Sequence, residues 1–549
     1  MLLHMYLHMI ELKRLQRAAG RVFADSASGT AGESKTPASP QRGRGPPPHR
    51  ERSGMLKSFG KSALLLSSCL TLAVGAPATA KPPTPPRPNV VVILADDMGY
   101  GDPSLYGSKL IQTRAIDSIG REGVTFTDGY VTAPLCSPSR AGLLTGRYQQ
   151  RFGFEQQISN GAMPELSEVR EEDGTLAPIQ GEAEFLRRGV PVTEKNMGEI
   201  FKAGGYRTAV IGKWHLGNGE QFLPNNRGFD HSFVFYGNTS LQSKNLSDPD
   251  LISLKVDYHD ELPNVAWTRE GLNAVRRNGQ IVNVEDFLLF RFRDEAVQFI
   301  EDNKSKPFFL YLPLNAPQPP LQVPSSYFEK LRPDIRNIAQ RAYNGLLMAE
   351  DDVVSAVLDK LKSSGLDKNT IVVFISDNGS VISRPGRNAP FSGGKTSTYE
   401  GGIRVPYVMK WPGQIPAGEV YRKPVSSLDL LPTLAAATGV ALPKDKALDG
   451  VDLLPYLKGA NDGAPHDILY WKLGPESAVR KGKWKLWIDN RGGTTRLFDL
   501  QRDPAEQQDL AAAEPAVRAE LKAAYDAWNS SLPPRSWTTV SPAPRRAAK

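Results

Sequence analysis

The sequence predicts an α/β protein: a large, mainly parallel sheet sandwiched by helices, followed by a smaller C-terminal α+β domain with an antiparallel sheet. Three observations predict it. Short, continuous runs of aliphatic and β-branched residues recur from Asn89 onward, long helical-period stretches separate them, and after about Gly459 the pattern changes to closely spaced strands.

The run Asn89 to Ala95 has no polar alternation, which marks a strand buried on both faces. Similar runs follow at Tyr206 to Gly212, Pro307 to Pro313 and Thr370 to Ser376. Between them, Asp286 to Asn303 and Ile335 to Leu361 carry apolar residues at helical spacing. Strands separated by such helices imply right-handed crossovers and a parallel sheet covered on both sides. Beyond Gly459, Ser477 to Arg480, Trp484 to Ile488 and Thr495 to Phe498 read as strands, with Asn490 to Gly493 turning between the last two and a helix closing at Pro515 to Trp528. Residues 151–190 and 238–280 lack periodicity and read as irregular insertions. The predicted divisions are 1–54 as a non-native or disordered extension, 55–80 as a signal peptide, 81–88 as a Pro-rich spacer, 89–459 as the catalytic domain, 460–532 as the α+β subdomain and 533–549 as a disordered tail.

Composition fits a globular protein, with 40% apolar and 23% charged residues. The net charge of +8 is concentrated in residues 1–80, whose eleven Lys/Arg and four acids leave only +1 for the rest, so a nucleic-acid partner is not indicated. Lys57 and Lys61, the apolar stretch Ala63 to Val74 and Ala78-Thr79-Ala80 together match a cleaved export signal. The apolar stretch is too short for a stable membrane span, and a periplasmic or secreted location is expected. Leu66-Ser67-Ser68-Cys69 resembles a lipobox, but apolar residues continue past Cys69, which favours a cleaved leader over a lipid anchor. Cleavage after Ala80 leaves Cys136 as the remaining cysteine of the two, which excludes an internal disulfide.

Ligands of parallel sheets gather at the carboxyl ends of the strands. Three predicted strands end there on polar residues: Asp96-Asp97, Asp377-Asn378, and Lys213 with His215. Three carboxylates and an amide form an all-oxygen set suited to a hard cation, Ca²⁺ or Mg²⁺, and unlike a zinc site. A helical pattern over Ser139 to Arg147 places Cys136 near a helix N-terminus, where backbone N–H groups favour anions. Arg140 follows one turn on, at a spacing too short for the loop of protein tyrosine phosphatases. Gly393-Gly394-Lys395 lets the backbone approach closely, with Lys395 as a candidate acid for a leaving group.

In order along the chain, Asp96 to Asp102, the C-x-P-x-R pattern Cys136-Ser137-Pro138-Ser139-Arg140, Gly212 to Gly217, Ser376 to Gly379 and Glu400 to Pro406 resemble the formylglycine-dependent sulfatases of the alkaline-phosphatase-like superfamily. Arg480 to Leu486 and Leu497 to Leu500 extend the resemblance into the small domain, so that it covers Pro88 to about Leu510. The resemblance implies that a formylglycine-generating or radical maturation enzyme oxidises Cys136 to 3-oxoalanine. Asp96, Asp97, Asp377, Asn378 and the modified Cys136 would then hold Ca²⁺, in preference to Mg²⁺. It further implies that Arg140 holds the aldehyde hydrate, Lys213 contacts hydrate and sulfate, Lys395 contacts sulfate and assists the leaving group, and His215 takes the proton of the second hydroxyl. One hydroxyl of the hydrate attacks sulfur; loss of the other's proton re-forms the aldehyde and ejects sulfate, a step that a serine lacks.

One position departs from the pattern. Gln318 stands where many relatives place a histidine that binds sulfate and protonates the leaving oxygen. A glutamine can bind there but transfers no proton at neutral pH. Either Lys395 carries the acid role alone, or His231 or His259 substitutes from a loop, or the substrate has a better leaving group. The expected substrate is a sulfate monoester of a carbohydrate or aryl alcohol. The alternatives are a phosphonate or phosphate monoester hydrolase of the same superfamily, and a weakly active relative that binds sulfated glycans.

Overall fold

The stretch that reads as doubly buried, Asn89–Asp96 (β1), lies inside a ten-stranded sheet, with every residue buried. The computed structural model describes residues 87–158, 167–170, 176–178, 186–254, 269–333, 335–382 and 386–539. All of them belong to one compact unit, Pro82–Lys549. The expectations for 1–54, for the 55–80 leader and for most of the spacer fall outside the described residues.

The other strands of this sheet are β2 (Val124–Phe126), β3 (Arg207–Lys213), β4 (His231–Phe235), β5 (Arg276–Arg277), β6 (Gln280–Ile281), β7 (Phe308–Pro317), β8 (Thr370–Ser376), β9 (Tyr407–Lys410) and β10 (Glu419–Tyr421). Their order is β6-β5-β4-β3-β7-β1-β8-β9-β2-β10. The block β4-β3-β7-β1-β8 is parallel throughout, and antiparallel pairing is confined to its flanks. The principal helices are α1 (Arg114–Arg121), α2 (Cys136–Thr145), α3 (Leu288–Asn303), α4 (Ile338–Ser363), α5 (Leu430–Thr438) and α6 (Pro515–Ser530).

Pleating explains why β1 shows no alternation. Val90, Val92 and Leu94 pack with Ala141, Leu143 and Leu144 of α2 and Leu431 of α5. Val91 and Ile93 face the opposite way, onto Phe292 and Ala296 of α3 and Leu346 and Val353 of α4. Each large side chain so buried contributes about 1.5–3 kcal/mol. The expected mainly parallel, doubly covered sheet is therefore the observed one.

After Gly459 the chain forms β11 (Ile468–Leu473), β12 (Glu476–Lys481), β13 (Trp484–Asp489) and β14 (Thr495–Asp499), an antiparallel sheet in sequential order. One face carries Val479, Leu486, Ile488 and Leu497 against Leu521, Tyr525 and Trp528 of α6. Leu469, Trp471 and Ala478 meet Tyr130 and Ile403 of the large unit.

Three expectations need correction. The helix placed at Ser139 begins at Cys136 and ends at Thr145, because Gly146 takes a left-handed φ of 64° and closes it. The tail from 533 is not wholly irregular: Trp537–Thr539 pairs antiparallel with Ser167–Arg170, which pairs in turn with Leu176–Pro178. The aromatic and β-branched composition of Trp537-Thr538-Thr539 suits a strand, but its partner lies hundreds of residues upstream. Within 238–280, Arg276 to Ile281 is a two-residue hairpin: Asn278 and Gly279 have φ of 50° and 86°, the Asn-Gly turn that matches strand twist.

Candidate active site at the carboxyl rim

Parallel register lines up the rim. Ala95 pairs with Ser376 and Asp96 with Pro317, so Asp96-Asp97, Asp377-Asn378 and Gln318 emerge side by side. Lys213 ends β3, the next strand beyond β7. Gly212 permits this placement: its φ is 129°, and a Cβ there would lie 1.8 Å from the Pro313 carbonyl oxygen. Asp97 (φ 65°) and His215 (φ 57°) leave their strands in the left-handed region, and Thr396 beside Lys395 does so too (φ 72°). Such conformations cost about 1–3 kcal/mol each and persist where their surroundings hold them. Ser376 Oγ receives the Met98 amide (3.1 Å), and Asp102 receives the Gly99 amide (2.8 Å) and the Tyr343 hydroxyl (2.6 Å). These grips on the Asp97 turn carry no short-range sequence signal beyond the quoted Asp96-to-Asp102 run.

The candidate residues converge. Ligand atoms of Asp96, Asp97, Cys136 and Asp377 all lie within 4.8 Å of one another, and all four residues are buried. Lys213 Nζ donates to Asp96 (2.7 Å) and to Gln318 Oε1 (3.2 Å). Lys395 Nζ donates to Asp97 (2.7 Å) and stands 3.2 Å from Cys136 Sγ. Arg140 grips Asp377 through Nε (2.9 Å) and a second nitrogen (2.8 Å), and also donates to the Lys213 carbonyl (3.1 Å). Asn378 Nδ2 donates to Asp97 (2.7 Å).

The donor set fits a hard cation. Asn378 Oδ1 is buried with no hydrogen-bond partner, and next to three carboxylates such an acceptor could be satisfied by an oxygen-preferring ion. Burial raises the Asp96 carboxyl to about 6, against the pull of Lys213. Asp97 is equally buried, yet the Lys395 and Lys213 charges outweigh that and hold it below the usual carboxylate range. Burial, reinforced by Asp377, pushes the Cys136 thiol well above its ordinary value, so an unmodified thiol here stays protonated and is a poor nucleophile.

His215 has one tautomer open to it. Its Nε2 lies 2.7 Å from the Ile158 carbonyl oxygen, which accepts only a proton-bearing nitrogen; Nδ1 therefore holds the lone pair, and it has no partner. Burial and the nearby Lys213 keep the ring neutral, well below its ordinary pKa. Ile158 is a partner that sequence reasoning missed, an apolar residue acting through its backbone. His231 does not reach the rim. It opens β4 at the opposite, amino end of the parallel block and bonds Glu295 of α3 (2.9 Å). His259 lies outside the described residues.

A doubly covered parallel sheet whose rim sets an all-oxygen ligand group beside a helix N-terminus and three cations defines an enzyme class that handles small tetrahedral oxyanions. The chain belongs to the sulfatase family and is a sulfatase. The family profile "Sulfatase" matches residues 88–440, and that of the C-terminal part of N-sulphoglucosamine sulphohydrolase matches 394–527. N-acetylgalactosamine-6-sulfatase of Mus musculus is 34% identical over 433 residues, covering 77% of this chain and 75% of that protein. Arylsulfatase A of Homo sapiens is 32% identical over 500 residues, covering 83% and 89%. Among solved structures, Ps i-CgsB in complex with k-i-k-neocarrahexaose aligns with a TM-score of 0.72 at 31% identity, covering 83% of this chain and 95% of that one. Among the described residues no helix is long and apolar enough to cross a membrane.

Proposed function

We propose that the chain hydrolyses sulfate monoesters of a carbohydrate or aryl alcohol with residue 136 as nucleophile after its oxidation to 3-oxoalanine, and with Ca²⁺ held by Asp96, Asp97, Asp377 and Asn378. The observation that carries the reading is the position of Cys136, first residue of α2, with Asp96 and Asp97 at 3.5 and 3.7 Å from its sulfur and Lys395 at 3.2 Å. A hydrated aldehyde would supply two hydroxyls, one to attack sulfur and one to release the product, and a cation held by those four residues would supply Lewis acidity and positive charge. The three carboxylates and the cations Arg140, Lys213 and Lys395 balance, so a bound divalent ion leaves an excess of positive charge for an anionic ester.

The remaining roles belong to side chains. Arg140 holds Asp377 from two nitrogens and orients the group at 136. Lys213 fixes the Gln318 amide by taking its oxygen, which turns Nε2 toward Cys136 (3.9 Å) as a donor for a sulfate oxygen. Gln318 binds without donating a proton. With His231 held at the far end of the sheet, Lys395 serves the leaving oxygen, at the more open side of the rim. His215 Nδ1 takes the proton whose loss re-forms the aldehyde. Export through the 55–80 segment and oxidation of Cys136 by a maturation enzyme complete the reading.

The test is the mass of the peptide holding residue 136, together with parallel turnover of an aryl sulfate and the matching aryl phosphate. The expected result is exchange of one sulfur and two hydrogens for one oxygen, with sulfate turnover ahead of phosphate. Active protein with an unaltered thiol overturns the mechanism; faster phosphate turnover moves the assignment to a phosphate or phosphonate hydrolase.

A further inference from the structure

The β11–β12 hairpin reaches two segments that neighbour the rim. On one side the Lys472 ammonium lies 3.1 Å from Glu155, three residues before the Ile158 carbonyl that orients His215. On the other side, a single oxygen of Glu476, Oε2, accepts from Ser397 Oγ (2.9 Å), the Thr398 amide (2.9 Å) and Thr398 Oγ1 (3.4 Å). Trp487 Nε1 of β13 adds a fourth donor at 3.3 Å. Four donors thus converge on one oxygen, two of them at 2.9 Å. The segment so gathered begins two residues after Lys395.

The backbone around Lys395 needs such an anchor. The Lys395 amide donates to the Ser380 carbonyl (3.0 Å), and the Thr396 amide to the Pro134 carbonyl (2.8 Å), two residues before Cys136. Between these bonds and Ser397 the chain passes through the left-handed φ of Thr396, which a β-branched residue adopts only under restraint. Pro134 and Ser380 restrain one side of that residue; on the other, the Ser397 amide donates to the Gly394 carbonyl (2.9 Å) and Glu476 holds the Ser397 and Thr398 side chains. Gly474, with φ of 53°, bends the β11–β12 turn so that Glu476 can enter β12 facing the loop.

We infer that Glu476 is a positioning residue for Lys395. Its carboxylate holds Ser397 and Thr398 so that the Lys395 ammonium stays at the side of residue 136 where the alcohol leaves. The inference rests on the role proposed above for Lys395.

The experiment uses the full chain with conversion at 136 verified by peptide mass, and two substrates that differ in leaving group, 4-nitrophenyl sulfate and phenyl sulfate. Glu476→Ala is expected to lose on the order of tenfold more turnover on phenyl sulfate, the substrate that needs an acid, than on the nitrophenyl ester. A smaller active fraction would lower both rates alike, so an equal loss on both substrates overturns the inference whatever the melting temperature does. Lys395→Ala should show the same skew, and the double variant no more than Lys395→Ala alone; an additive skew also overturns it. A flat response in Lys395→Ala removes the role assigned to Lys395, and this inference with it. Independently of turnover, Glu476→Ala should speed amide hydrogen exchange in residues 393–399, and unchanged exchange there counts against the idea.

Discussion

The rim of the large sheet and its seam with the C-terminal sheet are two buried clusters of the same makeup. The rim sets Asp96, Asp97 and Asp377 against Arg140, Lys213 and Lys395; the seam sets Asp128, Glu400 and Glu506 against Arg404, Arg480 and Lys485. At the seam the charges close on one another. Lys485 bridges Glu400 and Glu506 (2.9 Å each), Arg404 and Arg480 hold Asp128 (2.9 and 2.8 Å), and the Tyr130 hydroxyl meets Glu400 (2.5 Å). At the rim the ion pairs also close, but Asn378 Oδ1 and His215 Nδ1 remain without partners beside a buried cysteine. Equal charge thus closes into a brace in one place and, in the other, leaves the Asn378 and His215 acceptors open. The difference lies in which lone pairs are left over.

The contrast breaks first at residue 136. Cys136→Ala should lose at least about 10⁴-fold in turnover with little change in melting temperature; wild-type-like rates would refute the assignment. Cys136→Ser sharpens the point, since a serine can accept the sulfuryl group but cannot release it, and a single-turnover burst with a sulfated peptide is expected. At the seam the order of effects reverses. Lys485→Met leaves two carboxylates buried without their cation and should cost about 3–5 kcal/mol in urea unfolding. Its refolded fraction should keep the wild-type ratio of rates between nitrophenyl and phenyl sulfate; a changed ratio would tie the seam to the chemistry.

Added Ca²⁺ separates the clusters at smaller scale. Binding to the folded state alone stabilises it with the logarithm of ligand excess, by about 2.7 kcal/mol at a hundred times the dissociation constant, and so raises the melting temperature. The shift should appear in the wild type and in Lys485→Met and vanish in Asp97→Asn; persistence in Asp97→Asn would place the ion elsewhere. The smallest effect concerns His466, which bonds Asp429 at 2.7 Å. Burial works against its charged form, but the Asp429 carboxylate outweighs it and raises the pKa above the ordinary 6.5. A raised value means that the folded state holds the proton more tightly, so the contribution is complete below 6.5 and fades as pH rises through the raised value. His466→Asn should therefore cost about 1–2 kcal/mol at acidic pH and progressively less in alkali; a cost that grows with pH would reverse the sign.

Much of the rim was legible because its acidic and cationic pairs sit at strand ends. Asp96-Asp97, Lys213 with His215, and Asp377-Asn378 each follow an apolar run, and the C-x-P-x-R pattern marks α2. The seam was not legible, although Glu400 and Arg480 stand within quoted motifs. Asp128 and Glu506 carry no pattern of their own, and Tyr130 meets Glu400 from 270 positions away. The Asn278-Gly279 dipeptide carries a legible turn signal within a stretch that otherwise lacks periodicity.

The sequence by itself determined the strands, their parallel block and the side chains that gather at its carboxyl rim, because pleat periodicity and strand-end chemistry are local. Only the tertiary structure decided that His215 holds its lone pair on Nδ1, that Gln318 turns its amide toward Cys136 and that Glu476 holds the loop behind Lys395. Each of these depends on a hydrogen-bond partner distant along the chain. No local pattern records which carbonyl or carboxylate folding will bring alongside.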